Sequence, residues 1–354
     1  MPVQRIAALD ATRDLTRFDT VIDARSPAEF AEDHLPGAVN WPVLDDAERA
    51  LVGTVHKQES ALAARKLGAA LAARRIADHI ERELPARPRD WQPLVYCWRG
   101  GQRSGSLAWF LGQIGFRTQQ LEGGYKAFRA VVRDDLASLP ESLRLHVVAG
   151  RTGSGKTRLL QSLLREGAQV LDLEALACHR GSVLGALPDV AQPSQKAFDT
   201  HVWHALRAAD PALPLFVESE SLKIGRLRVP EALIARMRAH SPCHVIEMPD
   251  AARVQLLLEE YAFFFDDADG FAKLLEPLIE VRGQDTVRTW QAQARTGDWP
   301  ALFADLMQQH YDPLYARSMQ RNFRHLQAAL PLQVADGDAP AMTAAARDLI
   351  ARAS

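Results

Sequence analysis

Short apolar runs alternate with helix-periodic, Ala- and Arg-rich stretches along the chain. Thr20 to Ile22 begins an apolar run that stops at Asp23, and Ser26-Pro27-Ala28-Glu29 has the form of a helix start with Pro at its first position. His34 to Asn40 predicts a turn into a second short strand. From Asp46 to about Glu83 the periodicity is helical, and Pro85 and Pro88 end it. Leu94-Val95-Tyr96 predicts a strand running into Cys97, then a glycine-rich loop, a helix from about Arg103 to Leu111 and a strand near Thr118 to Leu121. Leu139-Pro140-Glu141 predicts a boundary around Ser138 to Ser142. Beyond it come a strand at Leu143 to Val148, a second glycine-rich loop and a helix from about Lys156 to Arg165. Further strands are expected at Gln169 to Leu171, Leu215 to Val217 and His244 to Ile246, and a mostly helical tail from Ala251.

Strands alternating with helices predict parallel α/β sheets. The expected division is a domain over 1–138, with a helical insert at about 46–90, and another over 139–354. The 354-residue length suits two domains of about 100–200 residues each. Hydrophobic residues make up 47%, enough for two cores, and the net charge of −2 announces no global nucleic-acid field. A local basic face remains compatible with that balance.

Three cysteines, Cys97, Cys178 and Cys243, are too scattered for a disulfide framework or a metal cluster and fit a reducing compartment. The stretch MPVQRIAALDATRDL lacks the apolar core of a signal peptide, and no run approaches the length of about 20 apolar residues that spans a bilayer. The expectation is a cytoplasmic chain without a membrane partner.

Two loops carry chemistry. In Cys97-Trp98-Arg99-Gly100-Gly101-Gln102-Arg103-Ser104, a strand passes through a loop into a helix, so successive backbone N–H groups converge on an anion. Those dipoles, with Arg99 and Arg103, favour a Cys97 thiolate, a nucleophile poised against a tetrahedral anion. Cys178 and Cys243 lack such surroundings and read as structural. Gly150-Arg151-Thr152-Gly153-Ser154-Gly155-Lys156-Thr157 is a complete G-x-x-x-x-G-K-T between a strand and a helix. Its amides and Lys156 would hold a diphosphate, and Thr157 could ligate Mg²⁺. For a strand-ending acid, both Asp172 and Glu218 qualify.

The first third resembles the rhodanese family through Val21-Ile22-Asp23-Ala24-Arg25, Ser26 to Phe30, His34 to Asn40, the Cys97 loop and Leu121-Glu122-Gly123-Gly124-Tyr125. Five residues separate Cys97 from Arg103, a spacing closer to that of rhodanese-fold phosphatases than of simple sulfurtransferases. The wider loop suits a phosphate-sized anion. Together with the P-loop, the whole chain resembles the bacterial tRNA 2-selenouridine synthase family. The supporting stretches are Asp46 to Arg49, Val52-Gly53-Thr54, Asp172-Leu173-Glu174, His179-Arg180-Gly181-Ser182, Glu218-Ser219-Glu220-Ser221, Glu259-Glu260-Tyr261 and Tyr311 to Tyr315.

That resemblance implies a rhodanese-like domain followed by a P-loop NTPase-like domain with a helical C-terminal region. It implies tRNA carrying wobble 2-thiouridine as substrate, with geranyl diphosphate and selenophosphate as co-substrates and selenophosphate synthase as an eligible donor source. The P-loop would take the diphosphate and the Cys97 loop the selenophosphate. Gly68 falls near a family glycine linked to geranylation, although a helix glycine also serves close packing. Arg65, Lys66, Arg74, Arg75 and Arg82 of the insert could track RNA phosphates or form a solvated face. Further RNA candidates are His179, Arg180, Arg226 and Arg228, with Ser219 beside the second strand-ending acid; Trp98 could stack on a base or pack the loop. The rival class is a P-loop kinase acting on RNA or a small molecule, with an attached rhodanese domain.

Overall fold

The computed structural model describes residues 3–182, 184–185 and 190–353. The chain divides into two compact units, residues 1–135 with 193–204, and residues 136–192 with 205–354.

In the first unit, β1 (Gln4–Ile6), β2 (Thr20–Asp23), β3 (Ala38–Asn40), β4 (Pro93–Tyr96) and β5 (Gln119–Leu121) form a parallel sheet in the order β1-β5-β4-β2-β3. The central strand β4 is buried along its whole length and aligns Val95 with Ile22. Around it lie α1 (Ala8–Arg13), α2 (Pro27–Glu32), α3 (Asp46–Gln58), α4 (Ala61–Glu83), α5 (Gln102–Ile114) and α6 (Gly124–Ser142). Ser26 is the N-cap of α2, its backbone N–H donating to Glu29 Oε2 at 3.3 Å, and Pro27 opens the helix at its first position, as the sequence predicts. The Ala- and Arg-rich insert is an α-hairpin, Asp45 capping one helix and Ser60 the next. Its Ile76 reaches the core of Ile22, Val95, Leu107 and Leu111.

Helix α6 runs through the boundary expected near Ser138, and Pro140 falls in its last turn. Residues 193–204 also belong to this unit. Buried Asp33 accepts from the Tyr125 hydroxyl at 2.8 Å and from Thr200 Oγ1 at 3.1 Å, while Arg129 pairs with Asp199 at 2.9 Å. No local pattern announces such a long-range bond, so the sequence reading divides the chain once only.

The second unit centres on β6 (Arg144–Gly150), β7 (Gln169–Leu171), β8 (Pro214–Glu218), the antiparallel pair β9 (Lys223–Ile224) and β10 (Leu227–Arg228), β11 (Cys243–Glu247) and β12 (Leu330–Gln333). Its five-stranded sheet is parallel in the order β12-β11-β6-β8-β7. The sequence reading omits β12, and the reason is visible: four residues with Pro331 among them suit only a sheet edge. Helix α7 (Lys156–Arg165) covers the sheet, and its Leu159, Leu160 and Leu163 pack with Val148, Phe216 and Ile246. The helices that follow β11 build a separate aromatic core around Tyr261, Phe271, Trp290, Trp299 and Phe303. No described helix is long and apolar enough to cross a membrane.

One buried ion pair fixes the first unit. Arg25 and Asp23 are both fully buried, with two guanidinium nitrogens on Asp23 at 2.6–3.1 Å and a further bond to Asp33 O at 2.6 Å. The Tyr125 ring closes over the guanidinium at 3.9 Å. Replacing Arg25 by Met strands a buried carboxylate, so urea unfolding of Arg25→Met is expected to show a loss of about 3–5 kcal/mol. The double change Asp23→Leu with Arg25→Met is expected to recover much of it.

Candidate functional site

Cys97 follows directly on β4, the most buried strand of its sheet, and is itself 3% exposed. Ser104, on the first turn of α5, donates its hydroxyl to Cys97 Sγ at 3.1 Å. Gln120 staples the loop from β5, donating to Gly100 O, Gly101 O and Ser104 Oγ at 2.9–3.2 Å. The turn after β5 presses on the loop from the other side. Gly124 has φ +57°, and a Cβ there would stand 2.2 Å from Cys97 O. The loop's curvature therefore depends on a glycine 27 positions downstream.

The loop's charged residues divide. Arg99 is exposed, whereas Arg103 donates to Glu29 Oε2 at 2.7 Å, a carboxyl that also meets Arg49 at 3.0 Å. Burial works against the Glu29 charge, but the Arg103 bond and the two positive charges outweigh it and hold its carboxyl below the usual range. Trp98 tilts against the Tyr125 ring at 5.4 Å. Gln102 and Gly101 are exposed at the start of α5.

The P-loop joins β6 to α7. Gly153 and Gly155 have φ of +75° and +78°, and Leu257 and Met342 occupy the space a side chain there would need. Lys156 Nζ donates to Gly150 O at 2.9 Å, and Gly150 N donates to the Tyr315 hydroxyl at 2.7 Å. Fully buried Arg253 grips the loop by its Thr152 carbonyl at 2.7 and 2.9 Å and is held in turn by Asp312 at 2.6 Å. Arg151 bridges Asp250 and Asp312 from the exposed side. Helix Asp312–Asn322 thus supplies both Asp312 and Tyr315 to brace the loop.

A cavity of about 420 Å³ opens on this loop, lined by Lys156, Thr157, Arg158, Asp172, Glu174, His179, Arg180 and Glu260 among others. Asp172 is the N-cap of α8 (Leu173–Ala177), accepting from Ala175 N at 2.8 Å. Glu218 ends β8, accepts from Glu174 N at 2.7 Å through Oε1, and keeps Oε2 buried without a protein partner. Ser154 Oγ is likewise buried and unpartnered. Ser219 N bonds Val148 O at 2.8 Å and so pins the end of β8 to β6. His179 Nδ1 accepts from Gly181 N at 3.1 Å, while Arg180 lies over the Tyr261 ring at 5.0 Å and donates to Glu260 O at 2.7 Å.

Site residues outside the sequence reading are Glu29 and Gln120 at the first loop, and Glu174, Glu220, Arg253, Asp312 and Tyr315 at the second. Five of these seven stand in stretches quoted for the family resemblance, which was their available signal. Gln120 and Arg253 gave none. Of the insert's cations, Arg75 is paired with Asp45 and Glu48, while Arg65, Lys66, Arg74 and Arg82 are exposed. Among the described residues, no cluster of three or more His, Cys, Asp or Glu side chains is placed to hold a metal.

Glu174 and Glu220 converge: an added Cβ on Gly181 would lie 2.7 Å from one carboxyl and 3.0 Å from the other. Burial raises both, and their mutual repulsion pushes Glu220 to about 8, against the opposing pull of Lys156. At neutral pH the pair therefore keeps a proton, which leaves the Lys156 charge available to an anion. As pH rises through about 8 the second carboxylate forms and offsets Lys156. Without a divalent cation, affinity for inorganic diphosphate is expected to fall severalfold between pH 7 and 9, measured by calorimetry. Glu220→Gln is expected to flatten that fall.

The description "tRNA 2-selenouridine synthase AAA domain" matches residues 143–274, and "Rhodanese-like domain" matches residues 6–131. Proteins named tRNA 2-selenouridine synthase are similar over most of the chain. That of Alcanivorax borkumensis is 34% identical over 338 residues, covering 85% of this chain and 90% of that protein. That of Hahella chejuensis is 34% identical over 331 residues, covering 85% and 86%. That of Nitrosomonas europaea is 37% identical over 245 residues, a match spanning 68% of this chain and 63% of that protein's length. Shared sequence over 85% of the chain and the pairing of a cysteine loop with a P-loop lead to one conclusion: the chain belongs to the tRNA 2-selenouridine synthase family.

Proposed function

We propose that the protein converts wobble 2-thiouridine in tRNA to 2-selenouridine in two steps, one at each loop. The observation that carries this reading is the pairing, in a member of this family, of a P-loop with a thiol loop of intact chemistry. Cys97 has its Ser104 donor and Lys156 its glycine-framed cradle.

In the first step the thiocarbonyl sulfur bonds to the allylic carbon of geranyl diphosphate, the C–O bond breaks, and the N3 proton leaves to solvent. Diphosphate is the leaving group, so loop amides and Lys156 that grip it lower the barrier as its charge develops. Alkylation also turns a poor sulfur leaving group into a good one. Mg²⁺ suits this site, because it favours water and phosphate oxygens with one or two carboxylates. Thr157 and Asp172, both on the cavity wall, would hold it. Bound there, it would neutralise diphosphate charge.

In the second step the Cys97 thiolate takes the phosphoryl group of selenophosphate, the P–Se bond breaks and hydroselenide is freed. Hydroselenide adds at C2 of the S-geranyl base, the C–S bond breaks and geranyl thiol departs with a proton from solvent. Water then hydrolyses the phosphocysteine. Arg99 and the loop amides bind the phosphoryl oxygens, and Arg103 joins them on leaving Glu29. Exposed Arg65, Lys66, Arg74 and Arg82 give the RNA backbone a cationic face.

Nucleoside mass spectrometry after incubation with 2-thiouridine tRNA tests the reading. Geranyl diphosphate alone is expected to give the S-geranyl nucleoside, and both donors together 2-selenouridine. No mass change in any combination, with ATP turnover stimulated by an acceptor hydroxyl, would favour the kinase class instead.

A further inference from the structure

Helix α5 buries Ser104, Leu107, Ala108 and Leu111 on one side. Its other side carries Trp109, Phe110 and Ile114, which are 49%, 37% and 50% exposed. Single apolar side chains are common on protein surfaces, but two aromatics and an isoleucine on neighbouring turns of one helix form a patch. Ile114 follows Phe110 by one turn, which keeps that patch contiguous. Leu107, Ala108 and Leu111 already join the sheet core, and the three exposed residues take no part in it.

Trp109 and Phe110 meet edge to face, with ring centroids 4.9 Å apart and planes at 78°. In that arrangement one ring meets the other only by its edge and keeps both faces clear of its neighbour. An exposed ring with a clear face is a platform for a planar group. Position adds a constraint. α5 begins at the Cys97 loop, and Trp109 stands seven residues beyond Gln102, about 10 Å along the helix.

Charge on the same stretch selects the partner. Between Asp90 and Glu122 the chain has no acidic side chain, although Asp and Glu make up 44 of its 354 residues, while Arg99, Arg103 and Arg117 stand within it. Arg99 and Arg117, before and after the helix, are exposed. An aromatic face flanked by cations and free of carboxylates along its own segment fits a polyanion that carries planar bases. A paired stem offers no open base face to such rings, whereas an unpaired loop does. A second copy of the chain fits less well, because stable protein interfaces bury roughly 1,200–2,000 Å² in total, more than three side chains cover.

We propose that Trp109 and Phe110 stack unpaired bases of the anticodon loop that neighbour the nucleotide presented to the Cys97 loop. The assignment rests on the tRNA reading above. Bases held on α5 leave their own stack, which splays the strand and turns the wobble base toward the start of the helix. Phosphate contacts hold any RNA backbone and weaken with salt. The aromatic pair adds a contact that is insensitive to salt and made only with unpaired bases, so it distinguishes a loop from a stem.

Fluorescence anisotropy of the full chain decides the matter with three probes. They are a 2-thiouridine anticodon stem-loop, the blunt duplex of its stem, and stem-loops with one abasic site in the loop. Trp109→Ala and Phe110→Ala, shown folded by circular dichroism melts, are expected to bind the stem-loop about tenfold more weakly, with an unchanged salt dependence, and the duplex normally. In wild-type protein an abasic site beside the wobble nucleotide is expected to cost as much as either Ala change, and to cost nothing further in the Ala variants. No wild-type binding to the stem-loop, wild-type affinity in both Ala variants, or equal weakening of stem-loop and duplex would overturn the assignment. So would a wild-type dimer in sedimentation that Trp109→Ala renders monomeric without loss of RNA affinity, which would make the patch a contact between copies. Stem-loop binding that depends on both rings, without any S-geranyl or selenium product, would sink the two-step reading and leave the stacking surface standing.

Discussion

A parallel strand that passes straight into a helix leaves the first helical amides without backbone partners. Those amides point together at the strand's end, and the helix dipole adds positive potential there. Both reactive loops of this chain are solutions to that constraint. β4 delivers Cys97 to the start of α5, and β6 delivers Gly150 to the start of α7. An anion satisfies what the backbone leaves unmet, and the loop side chains decide which anion and which chemistry.

Holding such loops open requires braces from distant parts of the chain. Gln120 and Gly124 shape the Cys97 loop, one by bonding its carbonyls and the other by leaving room for them. Arg253, Asp312 and Tyr315 do the same for the P-loop, and Asp312 and Tyr315 come from a helix more than 150 positions away. The C-terminal helices are therefore part of the support that shapes the P-loop. Acid also collects around Lys156, where the proton shared by Glu174 and Glu220 keeps the cradle receptive.

The elements that sequence made legible were those with strong local grammar. Ser26-Pro27 announced α2, and each glycine-rich stretch announced a turn from a strand into a helix. Features resting on long-range contacts stayed hidden. The α6 helix overrode Pro140, the attachment of residues 193–204 depends on the Asp33 cluster, and β12 is too short and too proline-bound to signal itself. Of the site residues, the loop members could be named at once. Their braces could not, because nothing local ties Arg253 to Thr152 or Gln120 to Gly100.

The central claim is a division of labour, alkylation at the P-loop and selenium delivery at Cys97. A relay tests it most directly. 2-Thiouridine RNA is treated with Cys97→Ala protein and geranyl diphosphate, purified, and then given to Lys156→Ala protein with selenophosphate. The account predicts 2-selenouridine from the relay and from neither variant acting alone on 2-thiouridine RNA. Selenium incorporation by Lys156→Ala alone at the wild-type rate, starting from 2-thiouridine RNA, would contradict it.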